Sequence, residues 1–262
     1  MEGREFYGQE DIPQEEIERL KHIEYPNFVS VAILDELALE GKSVLDSGAG
    51  PNTRLAEFVS KRGGTYVPMD MRGDVLADMK EKLGREDVPF YGVRGDVRQL
   101  PFADKSFDIV HQRFVLMNIV PEARKRAVEE ILRVAKGRAL FLEYNWETMK
   151  SSEQPEMLER FKDIALRLFG KFSTDPYMGG KFDELFATVD PDLQYSLQHF
   201  QREEDVANTP ELLLNLRGFQ QAAQNLLKDD ELSEDCKRLI EDLEKDPLKF
   251  APPEIVVATV VL

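Results

Sequence analysis

Length, composition and charge limit the classes of function open to this chain. Its 262 residues are 42% hydrophobic, which is enough for one α/β domain with appended segments. Fifty acidic and 34 basic side chains give a net charge of -16, which repels polyanions and makes nucleic acid a poor partner. The single cysteine, Cys236, excludes an internal disulfide and fits a reducing compartment.

Targeting and metal signals are weak in this sequence. The start MEGREFYGQE has neither the basic nor the apolar region of a signal peptide, and no apolar run approaches the roughly 20 residues of a membrane helix. We therefore expect a cytoplasmic protein without a membrane partner. The three histidines, His22, His111 and His199, lie far apart and lack metal-ligand spacing, so no metal site is predicted.

The predicted elements begin with two helices and continue as alternating strands and helices. The patterns predict helices at 13–24 and, after Pro26, at 27–41. Strands are then predicted at 43–47, 65–70, 89–94, 107–111 and 138–144, with helices at 52–62, 73–83 and 121–136. Gly84 and Gly137 are expected to end the last two of these helices.

After Trp146 the alternation stops. Helices are predicted at 153–170, 178–189, 210–228 and 231–245, and a strand is predicted at 193–202. The final segment EIVVATVVL is typical of a strand buried on both faces, so we expect it to return to the main sheet. The predicted regions are a helical cap (1–42), a core (43–146), a helical insertion (147–192) and a segment that completes the sheet (193–262). The cap and the insertion are expected to form a lid over a pocket.

The most informative segment is VLDSGAGPNT (44–53), in which Asp46 ends a strand before a turn with Gly48 and Gly50. Glycines let the backbone approach a ligand closely, and a helix start offers free N–H groups. A carboxylate at Asp46 opposes a diphosphate but favours a ligand with an ammonium and a sulfonium group, as in S-adenosylmethionine. Thr53 stands where a dinucleotide fingerprint has its third glycine, which argues against a dehydrogenase.

Two more acidic residues follow later strands. Asp70 ends the second predicted strand, where a carboxylate can accept both ribose hydroxyls, although a helix cap is the alternative. Asp96 follows the third strand in GDVRQLPF, where it can accept from an adenine amino group while the Val97 N–H meets a ring nitrogen. These positions predict a ligand that contains a nucleoside.

Three motifs occur in a fixed order along the core: LDSGAG (45–50), VPMD (67–70) and GDVRQLPFADKSFDIV (95–110). With them the chain resembles the class I S-adenosylmethionine-dependent methyltransferases that act on small molecules. DPYMGGKFDELFATVDP (175–191) extends the likeness towards the C-terminus. The resemblance implies an α/β fold with a Rossmann-like, seven-stranded, mostly parallel sheet flanked by helices, and S-adenosyl-L-methionine as the cofactor.

The resemblance also implies roles for single residues. The expected cofactor contacts are Asp46, Gly48 and Gly50 at the methionine end, Asp70 at the ribose, and Asp96 with Val97 at the adenine. Ala49, Met71 and Gln112 are further expected cofactor contacts. Asn52 departs from the pattern, since many members have another small residue there. Asparagine tolerates turn geometries, so we expect altered contacts and not a lost site.

Methyl transfer is an in-line displacement at an activated carbon, so alignment and exclusion of water are the main tasks. A dedicated catalytic residue is not required. If a base removes a proton from the acceptor, His111 is the candidate, with a structural histidine as the alternative. Arg113 either orients an acidic substrate or pairs with a core carboxylate.

Aromatic residues near the strand ends are candidate substrate contacts, with plain packing as the alternative. They are Tyr144, Trp146 and Tyr177, with Tyr7, Tyr25 and the polar Asn118 in similar positions, whereas His22 and His199 are expected to be structural. The sequence predicts methyl transfer to an O or N atom of a small-molecule acceptor. A non-catalytic cofactor-binding protein is the second interpretation, and the HQRF run at 111–114 argues against methylation of a nucleic-acid base.

Overall fold

The computed structural model describes Glu5, Leu20 and residues 25–262. Apart from Leu20, the helix predicted at 13–24 lies outside the described residues. The strands are β1 (Ser43–Ser47), β2 (Thr65–Asp70), β3 (Val93–Arg94), β4 (Phe107–Arg113), β5 (Ala135–Asn145), β6 (Tyr195–Phe200) and β7 (Glu254–Val261).

Eight α-helices lie within the described residues. They are α1 (Tyr25–Asp35), α2 (Arg54–Ser60), α3 (Gly73–Arg85), α4 (Pro121–Val134), α5 (Pro155–Phe169), α6 (Phe182–Val189), α7 (Thr209–Ala222) and α8 (Asp230–Lys245). Proline at the start of α4, α5 and α7 suits a position that needs no backbone N–H partner. None of the described helices is long and apolar enough to cross a membrane.

The seven strands form one sheet in the order β3-β2-β1-β4-β5-β7-β6. The pairs from β3 to β5 are parallel, whereas β7 runs antiparallel to both β5 and β6. This confirms the predicted Rossmann-like sheet and the return of the final segment to it. Because β1 and β4 lie at the point where the strand order reverses, their carboxyl ends open a crevice for a ligand.

Several predicted boundaries are wrong. Helix α1 ends at Asp35 and not at Gly41, and α3 continues through Gly84 to Arg85. Helix α4 passes directly into β5 at Ala135, so Gly137 lies within a strand. A Cβ atom at Gly137 would lie 2.8 Å from the Asp108 carbonyl oxygen, so this glycine serves a close approach between strands and not a helix end.

The third strand is also shorter than predicted. Only Val93 and Arg94 of the predicted 89–94 strand pair with β2. Pro89 has no N–H group for a ladder hydrogen bond, which fits its position outside the paired segment.

Three hydrophobic clusters divide the core. One face of the sheet packs against α4 and α6, and the other face packs against α1, α2 and α3. The third cluster joins α5, α7 and α8 with the segment after β5. Helices from two separate chain segments therefore build a helical layer beside the sheet.

The predicted insertion at 147–192 contributes to two of these clusters. Its first helix, α5, packs with α7 and α8, whereas its second helix, α6, packs on the sheet beside α4. The helical layer thus takes α5 from this segment and α7 with α8 from the segment between β6 and β7.

Candidate functional site

A cavity of about 300 Å³ lies at the carboxyl ends of the central strands. One end is lined by the loop after β1, the end of β2 and the segment 95–98. The other end reaches the helical layer, where side chains of α5 and α7 form the wall. One cavity therefore joins the glycine loop to the helical layer.

The glycine loop has the backbone that the sequence predicts. Gly48 and Gly50 have φ values of +77° and +63°, in the left-handed region that favours glycine. A Cβ atom at Gly48 would lie 2.3 Å from Cγ2 of Val115, whereas one at Gly50 would meet nothing within 4 Å. Gly48 thus allows the loop after β4 to pack close, and Gly50 leaves open space beside the backbone in the cavity wall.

Asp70 lies in the cavity wall and is tied to the glycine loop. Its Oδ2 accepts from the Gly50 N–H at 3.0 Å, and its Oδ1 accepts from the Arg72 N–H at 2.9 Å. Burial raises the pKa of Asp70, against the effect of these hydrogen bonds. Each carboxylate oxygen keeps a further acceptor position, so the geometry is compatible with binding of two ribose hydroxyls.

Asp96 and Val97 also line the cavity, but Asp96 is already paired. The guanidinium and backbone N–H of Arg98 donate four hydrogen bonds to its two oxygens, and Arg98 also pairs with Glu5 at 3.0 Å. Burial alone would raise the pKa of Asp96, yet Arg98 holds it below its usual value. In this structure the Asp96 carboxylate lacks the free acceptor that the adenine prediction required.

Apolar side chains form the remaining wall of this end. Met71 is 36% exposed and follows Asp70, while Val97 is 8% exposed. Ala49 lines the cavity too, but its N–H donates to the Met69 carbonyl at 3.0 Å. These residues offer apolar contact to a ligand and not hydrogen bonds from their side chains.

Asp46 faces away from the cavity, contrary to the prediction that it holds the methionine end. Its Oδ2 accepts from Tyr66 Oη at 2.5 Å and its Oδ1 pairs with His111 Nδ1 at 2.8 Å. Burial by itself would raise the pKa of Asp46, but the charge and hydrogen bond of His111 hold it below its usual value. Alternate residues of a strand face opposite sides, so Asp46 points into the α1–α3 layer.

His111 is not placed to act as a catalytic base. Its Nε2 lies 3.1 Å from Ser30 Oγ, so both ring nitrogens have protein partners. His111 is 1% exposed and Ser30 is fully buried. The order Ser30, His111, Asp46 is that of a hydrolytic triad, but the serine has no access to a substrate. The structural alternative therefore applies to His111.

Gln112 is buried on the opposite face of β4 and does not line the cavity, so the prediction of a cofactor contact fails there. Its Nε2 donates to Glu143 Oε1 at 2.9 Å, and the Leu116 N–H donates to the same oxygen at 2.8 Å. Burial raises the pKa of Glu143 to about 8 against these hydrogen bonds. The oxygens Ser47 Oγ, Gln112 Oε1 and Glu143 Oε2 are buried without a partner among the described residues.

Arg113 and Tyr144 line the middle of the cavity. Arg113 Nη1 donates to Asn27 Oδ1, so α1 helps to hold this guanidinium. Desolvation lowers the pKa of Arg113, while the nearby Asp46 carboxylate opposes that effect. Tyr144 stacks on Phe114 with ring centroids 4.0 Å apart. Both predicted substrate contacts therefore lie between the glycine loop and the helical layer.

Trp146 lines the cavity, whereas Tyr177 does not. Tyr177 lies in a separate surface cleft beside Glu147 and Glu159. Its ring centroid is 5.9 Å from Lys181 Nζ. Tyr177 is therefore not a contact for a ligand in the main cavity.

The remaining candidates differ in position. Asn118 lines the cavity, where its Nδ2 donates to the Phe114 carbonyl and its Oδ1 accepts from Thr174 Oγ1. His199 lies on the edge strand β6 and pairs with Glu254 at 3.2 Å, outside the cavity. Tyr7, His22 and the side chain of Tyr25 lie outside the described residues.

Sequence reasoning missed two parts of the cavity wall. The loop after β4 supplies Phe114, Val115 and Met117, and the helical layer supplies a group of phenylalanines. Phe161, Phe169 and Phe172 share the α5 segment, and this concentration of aromatic residues was the available signal. This signal does not identify the partner helix α7, which is distant in sequence.

Residues 45–142 match a family model described as a methyltransferase domain. The matched segment runs from β1 to β5 and contains the glycine loop and Asp70. The match covers less than half of the chain.

Two curated relatives are methyltransferases of quinone biosynthesis. Demethylmenaquinone methyltransferase of Beutenbergia cavernae is 38% identical over 117 residues, covering 44% of this chain and 46% of that protein. The ubiquinone/menaquinone biosynthesis C-methyltransferase UbiE of Idiomarina loihiensis is 35% identical over 117 residues, covering 40% and 43%. The matches thus span less than half the length of these relatives.

Solved methyltransferase structures share the fold. Phosphoethanolamine N-methyltransferase 2 of Haemonchus contortus, in complex with phosphomonomethylethanolamine and S-adenosylhomocysteine, aligns with a TM-score of 0.54. The alignment covers 89% of this chain and 52% of that chain, at 18% sequence identity. At this identity the likeness establishes the architecture of the chain.

Proposed function

Because residues 45–142 match the model of a methyltransferase domain, we propose that this protein transfers a methyl group from S-adenosylmethionine to a small-molecule acceptor. The observation that carries the proposal is the single cavity that joins the glycine loop to the helical layer. A transferase needs room for a donor and an acceptor side by side, whereas a protein that only binds the cofactor needs the first part alone.

The residues at the glycine end fit the cofactor. Asp70 would accept the ribose hydroxyls, the open backbone at Gly50 would admit the methionine portion, and Met71 with Val97 would contact the adenine. S-adenosylmethionine supplies an electrophilic methyl group on a positively charged sulfur. The protein then has to align the acceptor and exclude water.

His111 is enclosed by Ser30 and Asp46, so it is not available as a base. The chemistry of the acceptor itself therefore determines which of its atoms is methylated. Oxygen and nitrogen acceptors were expected from the sequence. A carbon acceptor joins them because one relative is a C-methyltransferase. Arg113 and Tyr144 lie where the two parts of the cavity meet, and we expect them to contact the reacting end of the acceptor.

Calorimetric titration of the purified protein with S-adenosylmethionine, S-adenosylhomocysteine and NAD tests the donor site. We expect binding of both adenosyl ligands and none of NAD. The Asp70→Asn variant should bind both adenosyl ligands about tenfold more weakly, because a charged acceptor for the ribose is lost. The matched control is Asp74→Asn, an exposed carboxylate at the start of α3 that does not line the cavity.

Folded wild-type protein that binds neither adenosyl ligand would overturn the proposal. Equal losses in the Asp70 and Asp74 variants would contradict the ribose assignment. Tight binding without formation of S-adenosylhomocysteine, in assays with small hydroxyl, amine and activated-carbon acceptors, would favour the non-catalytic alternative.

A further inference from the structure

The part of the cavity within the helical layer has aromatic walls, and we call it the aromatic chamber. It is lined by Trp146, Phe161, Phe169, Phe172, Phe219 and Phe250. The Trp146 ring centroid lies 5.7 Å from that of Phe161 and 5.3 Å from that of Phe169. Phe219 of α7 completes the group at 6.2 and 5.5 Å from the same two phenylalanines.

Charges on the cavity wall lie outside this aromatic group. Asp70, Asp96 and Arg98 belong to the glycine end. Arg202 and Glu211, which also line the cavity, lie 4.0 Å apart with opposite charges. Arg113 lines the cavity beside Tyr144, but its guanidinium donates to Asn27 and lies near the Asp46 carboxylate. The aromatic walls supply no counter-charge of their own, so a charged acceptor would lose its hydration against them, and the walls favour an uncharged ligand. Aromatic walls also favour a flat ring, which can stack or pack edge to face.

Trp146 lines both the chamber and the surface cleft that contains Tyr177. Trp146 is 9% exposed, and its Nε1 is buried without a hydrogen-bond partner among the described residues. A buried N–H group without an acceptor is costly, and buried tryptophans usually find one. An oxygen atom on a bound molecule would satisfy this donor.

Tyr144 lies between the chamber and the glycine end of the cavity. It lies two positions before Trp146 on β5 and packs against all three hydrophobic clusters. Its ring stacks on Phe114, in the loop that also brings Val115 against Gly48. A ligand in the chamber can therefore reach past Tyr144 towards the glycine loop.

We propose that the aromatic chamber binds the methyl acceptor, and that the acceptor is a planar, uncharged aromatic molecule with an oxygen atom that accepts from Trp146 Nε1. This assignment rests on the proposed methyltransferase function. It selects flat hydroxylated or carbonyl-bearing ring compounds over small zwitterions and phosphate esters.

The test uses the fact that Trp146 is the single tryptophan of the chain. Its indole N–H gives one cross-peak in a ¹H–¹⁵N correlation spectrum of protein labelled at the tryptophan nitrogen. Titrations with 2-naphthol, naphthalene and phosphoethanolamine are run with and without S-adenosylhomocysteine. We expect 2-naphthol to move the indole proton downfield with saturation, and to bind about fivefold more tightly than naphthalene, which lacks the oxygen. Phosphoethanolamine should leave the peak unmoved.

Variants distinguish the contribution of the aromatic walls from that of the hydrogen bond donated by Trp146 Nε1. Trp146→Phe should reduce 2-naphthol affinity, measured by calorimetry, to that of naphthalene, while the affinity for naphthalene stays the same. Phe219→Ala should weaken both ligands about tenfold. Leu213→Ala is the matched control, because Leu213 lies on the same helix and packs in the same layer without lining the cavity. Phe219→Leu replaces Phe219→Ala if the latter does not fold.

Each outcome separates this inference from the proposed function. S-adenosylhomocysteine binding with no 2-naphthol binding, or with a shift caused by phosphoethanolamine, overturns the acceptor assignment and leaves the donor site intact. Equal affinities for naphthalene and 2-naphthol overturn the role of Trp146 Nε1. If S-adenosylhomocysteine does not bind, the methyltransferase proposal fails, and the titrations without it still show whether the chamber takes a flat, oxygenated ring.

Discussion

Two kinds of polar side chain lie at the carboxyl ends of the strands. Asp70 and Arg113 line the cavity, whereas Asp46 and Glu143 are buried and bind residues next to the cavity wall. Glu143 is fully buried on β5, and it accepts from Gln112 and from the backbone of the loop after β4. This carboxyl group thus fixes the loop that carries Val115 against Gly48.

The environment of Glu143 predicts a pH-dependent stability. Its pKa is about 8 in the folded chain and 4.5 when unperturbed, so the unfolded chain releases the proton first as the pH rises. The free energy of unfolding should therefore fall by about 1 kcal/mol per pH unit between pH 4.5 and 8. Glu143→Gln keeps an acceptor for Gln112 and Leu116 but does not ionise. We expect this variant to lack the decline and to be the more stable protein at pH 8, as measured by urea unfolding from pH 5 to 8.5.

Glu147→Gln is the control for this comparison, since Glu147 is exposed just after β5. Its pH profile should follow that of the wild type. Parallel profiles for Glu143→Gln and the wild type would show that Glu143 is ionised in the folded protein at neutral pH.

Helix α8 belongs to the helical layer, and the side chain of Asp229 caps its first turn. Asp229 accepts from the Leu232 N–H at 3.0 Å, which satisfies one of the free donors of the first turn. One face of α8 is buried and contains Cys236. Burial raises the pKa of this thiol to about 12, so it is unreactive while the helix is in place.

The thiol therefore reports the opening of α8. In native protein we expect Cys236 to react with a disulfide reagent only as fast as the helix opens. Asp229→Ala removes a cap that contributes about 1 kcal/mol, which should speed labelling about fivefold. Glu241→Ala, an exposed change on the same helix, is the control and should leave the rate unchanged. Labelling of the wild type at the rate of a free thiol would contradict the buried position.

Elements with a strong local signal were predictable from sequence. Strands β1 and β2 have the predicted bounds, because short apolar runs and a glycine turn mark both ends of such strands. The ends of α1, α3 and α4 were not predictable, since Gly41 and Gly84 lie beyond or within helices whose ends are set by packing.

The candidate site was predictable only where a single segment builds it. The glycine loop and Asp70 lie in the cavity wall, as expected. Asp46, His111 and Gln112 are buried on two opposite faces of the sheet and do not line the cavity, which begins at Gly48 and Arg113. A sequence shows that alternate residues of a buried strand face opposite sides, but not at which position along the strand a cavity begins. The aromatic chamber needs α5 and α7, which meet only in the folded chain.

Across the whole molecule, some carboxyl groups have lowered pKa values and others have raised ones, and together they set the pH range in which the fold is most stable. Hydrogen bonds from Ser43 and Lys136 lower the pKa of Asp108 to about 2, despite partial desolvation. Arg124 and Lys181 likewise hold the pKa of Asp175 down against its burial. The stabilisation from these carboxylates is present above about pH 4 and is lost as the pH falls through the folded pKa values.

Together with Glu143, these groups predict maximum stability near pH 4.5 to 5. Urea unfolding midpoints should decline on both sides, steeply below pH 4 and gradually towards pH 8. Asp108→Asn should flatten the acid side, and Glu143→Gln should flatten the alkaline side. A wild-type protein that is most stable at pH 8 would contradict this balance.

The position of β7 has a consequence for biosynthesis. Strand β7 follows β6 in the chain but lies between β5 and β6 in the sheet. As the ribosome makes the chain, β6 has no strand to pair with, and the apolar edge of β5 stays open until residues 254–261 emerge. An open edge of this kind is a site for aggregation, so the nascent chain is exposed to it until β7 pairs with β5.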